Sequence, residues 1–234
     1  MGRTDTPLPD WDGTVDNFVF LGGAGSGKSE IAVNAALRMA AQQERPVRFF
    51  DLDMTKPLFR SRVLAGQLEE AGVIVRYEEQ FMDAPVTVGG PEVWLRRGDC
   101  LCVLDVGGDG TGARSVGQYA PLLRSDTTAV YYVINPYRPW SDTTEHIDSI
   151  LSEILSASHL SLDNLRLVGN PNLGPETTEA EFLEGCRMLR ETVVPYRPIA
   201  FVCARSGLNT AAPWPVMELT PLLSYPWNEG PPET

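Results

Sequence analysis

The stretch Gly22-Gly-Ala-Gly-Ser-Gly-Lys-Ser29 decides the fold that we predict for this chain of 234 residues. It matches the pattern G-x-x-x-x-G-K-[S/T] without a gap. An apolar run of strand type, 18–21, precedes it, and an Ala-rich stretch with helical spacing, 30–43, follows. Strand, glycine loop and helix form the context in which this motif cradles phosphate oxygens. The sequence therefore predicts a nucleotide site here, rather than a glycine-rich turn with a chance lysine.

The motif gives each residue type a role. Glycines let successive backbone N–H groups turn toward the phosphates, and the start of the next helix adds further donors. Lys28 is expected to reach the β- and γ-phosphates and to act in catalysis, and the Ser29 hydroxyl to ligate Mg²⁺. The predicted nucleotide contacts are Gly22, Gly23, Ala24, Gly25, Ser26, Gly27, Lys28, Ser29 and Glu30.

Composition limits the classes of function. The net charge of −12 argues against a surface that coats nucleic acid, because such a surface needs a basic footprint. The apolar runs fall short of a membrane span, and residues 1–11 contain no apolar signal core, so a cytoplasmic location is expected. Four scattered cysteines are expected to be buried thiols, with an iron–sulfur or zinc site between subunits as the alternative.

Alternating strand and helix patterns predict one α/β domain with a mostly parallel sheet and helices on both faces. Helices are expected over 57–72 and 115–124, and Asp142 with Glu145 is expected to form a capping box. The expected layout is a flexible arm at 1–14, a nucleotide-binding domain at 15–211 and a Pro-rich tail at 212–234.

Acidic residues follow two predicted strands. Asp51 and Asp53 close the second strand, and Asp105 ends an apolar run just before two glycines. Carboxylates at such ends can hold the water shell of Mg²⁺ and orient an attacking water. The alternatives are caps on turns for the first pair and an ion pair for Asp105. The glycine-rich segment 107–112 is expected to be a switch ordered by a γ-phosphate, which the Gly108 N–H would contact.

A phosphate loop, D-x-D after the next strand and D-x-x-G after a later one resemble the MinD/ParA/CobQ-CobB class of phosphate-loop ATPases, the SIMIBI class. The resemblance covers residues 17–205. Within that class, stretches 51–62, 105–109, 135–140 and 170–178 look like uncharacterised bacterial ATP-binding proteins.

The resemblance implies ATP and Mg²⁺ as cofactors. It implies that Asp51 and Asp53 position the metal and the water, with Asp51 also a metal ligand. Asp105 would be the second metal acid, and the Asn170 amide would pair with adenine. GTP is disfavoured because no N-K-x-D sequence occurs, although Asn135 and Asn170 leave it open.

One position departs from the class. ParA- and MinD-like members carry an early lysine in the loop that crosses to the partner's nucleotide, whereas this chain has Gly23. Either turnover is slow or another basic residue serves. The basic candidates are Arg60, Arg62 and Arg138, each of which could equally be a solvated surface charge.

Two functions follow from the resemblance. The first is a nucleotide-switched ATPase that acts on a protein partner, with a homodimer as one arrangement. The alternative is an enzyme like CobB or dethiobiotin synthetase, which uses ATP to activate a small carboxylate. That enzyme would bind its substrate through residues 77–99 or through Lys56, Arg60 and Arg62. A module that binds nucleotide without hydrolysing it is a third reading.

Overall fold

A computed structural model describes residues 8–42, 44–53, 64–77, 90–208 and 211–223 of the protein. Within these ranges one sheet contains eight strands, all parallel to their neighbours. In chain order the strands are β1 Asn17–Leu21, β2 Val47–Leu52, β3 Val73–Tyr77, β4 Leu101–Val106, β5 Thr128–Ile134, β6 Leu165–Gly169, β7 Ile199–Arg205 and β8 Val216–Leu219. Their order in the sheet is β3-β2-β4-β1-β5-β6-β7-β8.

Helices cover both faces of this sheet, so the predicted α/β architecture with a parallel sheet is confirmed. The helices are α1 Lys28–Gln42, α2 Ala65–Glu70, α3 Pro91–Leu95, α4 Gly110–Gly117, α5 Ala120–Leu123, α6 Thr144–Ser158 and α7 Glu179–Thr192, with a 3-10 turn at Leu162–Asn164. Gly72 ends α2 with a φ of +86°, as expected of a C-terminal glycine.

The central strand β1 shows why the core has two halves. All five of its residues are buried, and successive side chains of a strand point to opposite faces. Phe18 and Phe20 pack in a cluster with side chains of α1, whereas Val19 and Leu21 pack in a cluster with α4, α6 and α7. A strand buried on both faces reads as a continuous apolar run, which is how β1 reads in the sequence.

The strand order places the end of β1 in a crevice. β1 lies between β4 and β5. Strands β2 to β4 all lie on one side of β1, and strands β5 to β8 all lie on the other side. Ligands of parallel sheets bind beyond the carboxyl ends of the strands, where the order reverses. The stretch 22–29 follows β1 at this point.

The predicted arm and tail need correction. Leu8 is fully buried, Asp10 bonds to Tyr131 and Arg166, and Trp11 packs against the core, so residues 8–11 cover part of one face of the core rather than forming a loose arm. Likewise, β8 extends the sheet inside the predicted tail. Composition suggested loose ends at both termini because it does not reveal which few side chains dock.

Two helix predictions also change. The helix expected over 115–124 is two short helices, α4 and α5, and the second begins with Pro121 in its first turn. Thr143, not Asp142, caps α6, since its hydroxyl accepts a hydrogen bond from the His146 N–H. Of the helix expected over 57–72, residues 57–63 lie outside the described part of the chain.

Candidate functional site

The loop 22–29 adopts the conformation its glycines permit. Gly25 and Gly27 have φ values of +72° and +89°, a region that side chains other than glycine rarely adopt. The Ser26 N–H donates to the Gly23 carbonyl at 3.1 Å, which tightens the loop, and α1 then begins at Lys28. Backbone N–H groups therefore converge at the N-terminus of a 15-residue helix, an arrangement that favours an anion.

Lys28 points into the protein, not outward. Its side chain is 3% exposed, and its Nζ lies 3.9 Å from Oδ2 of Asp53. Ser29 beside it is buried as well. The motif lysine and serine are thus held against the acidic residues that the sequence placed at the ends of two other strands.

The acidic residues do meet at one edge of the sheet. Asp51 of β2 and Asp105 of β4 occupy paired positions on neighbouring strands, and the Asp53 N–H donates to Asp51 Oδ1 at 3.1 Å. Asp105 is 1% exposed. Burial raises the pKa of Asp105 to about 7; the Lys28 charge opposes this rise and the Asp51 charge adds to it. A buried carboxylate with this little compensation indicates a place where a further cation fits.

The atoms at Asp105 suit Mg²⁺. The buried Ser29 hydroxyl opposes the rise in the pKa of Asp105, and Asp105 Oδ1 has no hydrogen-bond partner among the described residues. Mg²⁺ takes oxygen ligands and keeps several waters, so one hydroxyl and one carboxylate suffice from the protein. Accordingly, no cluster of three or more His, Cys, Asp or Glu side chains with metal-site geometry occurs in the described ranges. Asp51 as a direct ligand stays a prediction.

Gly108 lies against the phosphate loop. A Cβ added there would stand 2.9 Å from the Ala24 nitrogen, so only glycine permits this approach. The segment after it differs from our expectation of a loose run, because α4 begins at residue 110. The Asp109 carboxylate caps this helix by accepting from the Gly112 N–H at 2.8 Å.

The Asn170 side chain makes two hydrogen bonds within the protein, and its contact with a base stays a prediction. Its Nδ2 donates to the Ser26 carbonyl at 2.7 Å, and its Oδ1 accepts from Asn172 Nδ2 at 2.6 Å. The side chain is buried, and both ends of its amide are used within the protein. Strand patterning predicts that Asn170 follows β6 but does not predict the direction of its side chain.

Glu30 contacts the C-terminal segment through its side chain, and its role as a nucleotide contact stays a prediction. Its carboxylate accepts from the backbone N–H groups of Leu222 and Leu223, at 2.7 and 3.3 Å, on the face of α1 that meets the C-terminal segment. One turn further along α1, the Asn34 amide bonds to both the carbonyl and the N–H of Thr220. These α1 residues therefore anchor the segment after β8.

The sequence did not identify Trp140 as part of the site. The indole Nε1 donates to the Ala24 carbonyl at 2.8 Å, and the neighbouring Arg138 donates from Nε to the Gly25 carbonyl at 3.1 Å. A Cβ at Gly23 would lie 3.1 Å from the indole, so Trp140 fills the space that a longer residue at this position would need. Arg60 and Arg62, the other basic candidates, lie outside the described residues.

No protein-family model and no curated protein matches the chain. Among solved structures it is similar to FlhF complexed with GMPPNP and Mg²⁺, with 17% identity over 76% of this chain and 65% of that chain and a TM-score of 0.41. It is similar to the signal recognition particle 54 kDa protein of Aeropyrum pernix K1 in complex with GDP, with 19% identity over 88% of this chain and 38% of that chain and a TM-score of 0.38. It is also similar to the signal recognition particle receptor FtsY of Elizabethkingia anophelis, with 13% identity over 82% of this chain and 59% of that chain and a TM-score of 0.43.

The chain thus spans less than two thirds of each of these three chains. At these identities and scores the likeness assigns neither a nucleotide nor a partner to this protein. No helix in the described ranges combines the length and apolar composition needed to cross a lipid bilayer.

Proposed function

We propose that the protein is a Mg²⁺-dependent ATPase that works as a nucleotide switch on a protein partner. The observation that supports this most is the meeting of Lys28 and Ser29 with Asp53 and Asp105 beyond the carboxyl ends of β1, β2 and β4. A glycine loop alone would bind phosphate. A buried lysine next to carboxylates can also stabilise the charge that develops during phosphoryl transfer.

Each residue has a separate task in this proposal. The loop N–H groups and Lys28 bind the phosphates and neutralise part of their charge. Ser29 and Asp105 would hold Mg²⁺, which would supply further positive charge to the phosphates. Asp53, next to Lys28, would orient the attacking water or accept its proton. Asp51 keeps Asp53 in place through the bond between its carboxylate and the Asp53 N–H.

The switch would run through Gly108. This residue touches the phosphate loop at Ala24, and the helix α4 begins two residues later. A γ-phosphate that draws the Gly108 N–H inward would shift the start of α4, whereas a diphosphate would not. A ligand moves an equilibrium only through such a difference in contacts between two states. The absence of an N-K-x-D sequence supports ATP over GTP.

The substitution Lys28→Met tests the nucleotide site. Methionine retains an unbranched side chain but removes the charge, so MgATP affinity should fall at least about a hundredfold, as expected for a charged phosphate contact in a buried site. Equilibrium dialysis with MgATP and with MgGTP measures this and gives the base preference at the same time. Release of inorganic phosphate from the same samples measures hydrolysis.

Arg187→Met is the matched control, because Arg187 is an exposed residue of α7 paired with Glu184 and Glu191. The control should bind MgATP like the natural protein. Thermal unfolding of both ligand-free variants separates lost binding from lost structure. Equal affinity of Lys28→Met and the natural protein would remove the phosphate-loop assignment.

A further inference from the structure

Three consecutive carbonyl oxygens of the phosphate loop, at positions 24–26, each accept a hydrogen bond from a different side chain. Trp140 Nε1 donates to the first at 2.8 Å, Arg138 Nε to the second at 3.1 Å and Asn170 Nδ2 to the third at 2.7 Å. The donors follow two different strands, β5 and β6. The backbone of the loop is therefore held from outside by two neighbouring segments of the crevice.

The glycines of the loop match these donors. An added Cβ would lie 3.1 Å from the indole at position 23, 3.4 Å from the guanidinium Nε at position 25 and 2.1 Å from the amide nitrogen at position 27. A Cβ rarely comes within 3.1 Å of another heavy atom, as it would at position 23, and it cannot come within 2.1 Å, as it would at position 27. The alternate glycines thus let three side chains reach the backbone, in addition to permitting the positive φ values at positions 25 and 27.

The hydrogen bonds have a consequence for the opposite side of the loop. In a planar trans peptide group the carbonyl and the following N–H point in opposite directions. Fixing the carbonyls of residues 24–26 outward therefore turns the following N–H groups away from the donors. The Ser26 N–H is used within the loop, by the Gly23 carbonyl, which leaves the N–H groups of Gly25 and Gly27 for a ligand. Backbone N–H groups held in this way form an anion-binding concavity.

We propose that Trp140, Arg138 and Asn170 form a carbonyl clamp, a set of positioning residues that holds the phosphate loop ready for its anion. The clamp touches neither the base nor the γ-phosphate; it acts through the loop backbone. The proposal rests on the function proposed above, since it assumes that the loop binds phosphates. It assigns to Asn170 a part in phosphate binding in place of a part in base recognition.

The experiment compares three variants that each remove one donor: Trp140→Phe, Arg138→Met and Asn170→Ala. Calorimetric titration with MgATP and with Mg²⁺-tripolyphosphate, which has no base, measures two affinities for each variant. A clamp predicts that each variant loses about fivefold in affinity for both ligands, the size of one hydrogen bond. The triple variant should lose more than any single variant. Melting temperatures of the ligand-free proteins check that the fold is kept.

Trp94→Phe is the matched control for the tryptophan. The Trp94 ring stacks on Arg48, 3.3 Å from the guanidinium carbon, in α3 next to the start of β4. The Trp94→Phe variant removes the same indole N–H group at the other end of the sheet. Its affinities for MgATP and for Mg²⁺-tripolyphosphate should therefore stay within twofold of those of the natural protein.

The outcomes separate the inferences. Single variants that bind both ligands within twofold of the natural protein would overturn the clamp while leaving the proposed function intact. A loss for MgATP but not for tripolyphosphate in Asn170→Ala would overturn it in favour of base recognition. If the natural protein binds neither ligand, the proposed function itself fails.

Discussion

The two ends of the parallel sheet contrast in how they use buried polar atoms. At the carboxyl end, Asp105 Oδ1 and Ser26 Oγ are buried and have no hydrogen-bond partner among the described residues. At the amino end, Asn17 is equally buried, but its amide nitrogen donates to the Leu95 carbonyl at 3.0 Å and lies 3.3 Å from the Thr128 hydroxyl. These residues are buried to the same extent but differ in how much of their hydrogen-bonding capacity is used. At the amino end, Arg48 Nε is also buried without a hydrogen-bond partner among the described residues, and its guanidinium stacks on the Trp94 ring.

Charged residues show the same contrast. Near the start of β1, Arg45 pairs with Asp16 at 2.6 Å, and near the start of β4, Arg97 pairs with Asp99 at 2.7 Å. At the other end, Lys28 Nζ lies 3.9 Å from Asp53 Oδ2, a longer separation than in those two pairs. A buried atom without a hydrogen-bond partner, such as Asp105 Oδ1 among the described residues, costs free energy of folding unless a ligand completes it. Changes at the carboxyl end should therefore affect ligand binding, and changes at the amino end stability.

The largest effect is expected for Asp53→Asn. The amide keeps the size of the side chain but cannot accept a proton, so hydrolysis should fall by about two orders of magnitude. MgATP affinity should stay within a few-fold, because Asp53 is not a phosphate contact. Single-turnover phosphate release and equilibrium dialysis on the same preparation measure the two quantities. Unchanged hydrolysis would make Asp53 a turn residue and remove it from the comparison.

A smaller effect is expected for Gly27→Ala, with Gly72→Ala as its matched control. Both glycines have φ near +90°, so alanine adds about 1–2 kcal/mol of backbone strain to each. At Gly72 nothing lies within 4 Å, whereas at Gly27 the new methyl group meets the Asn170 amide. MgATP affinity should therefore fall about thirtyfold for Gly27→Ala only.

Denaturant unfolding of the same two variants completes this test. Both should lose stability through backbone strain, and Gly27→Ala should lose more, because its methyl group also meets the Asn170 amide. If Gly72→Ala weakened nucleotide binding as much as Gly27→Ala, general destabilisation rather than the loop would explain the loss.

The features predicted from the sequence are those fixed by local pattern. The phosphate loop needs a strand before it and a helix after it, and both are legible in 18–21 and 30–43 as apolar spacing. Asp51 and Asp105 were each predicted to lie at the end of a strand, and they occupy paired positions on β2 and β4.

The features that were missed depend on which way a side chain turns. Glu30 lies next to the motif in sequence, yet the helical turn directs its carboxylate to Leu222, nearly two hundred residues away. Trp140 lies in a Pro-rich turn with no periodicity, and only the packing of the segment after β5 against the loop brings its indole to Ala24. Such contacts are long-range, so spacing along the chain does not encode them.

Asn17→Ala should have the smallest effect on the nucleotide site, because it changes a residue at the amino end of the sheet. The variant leaves the Leu95 carbonyl without its donor in a buried position, which costs about 2 kcal/mol of unfolding free energy. Asn17 starts β1 and the phosphate loop follows the end of the same strand, so a strand that transmitted strain would weaken MgATP binding too. We expect no such change, because the register of β1 with β4 and β5 is held by backbone hydrogen bonds along its length.

Urea unfolding measures the unfolding free energy of Asn17→Ala, and calorimetric titration measures its MgATP affinity. Asn164→Ala, in the half-buried turn before β6, is the milder control. A more than threefold loss of affinity in Asn17→Ala would mean that the two ends of the sheet are coupled through β1.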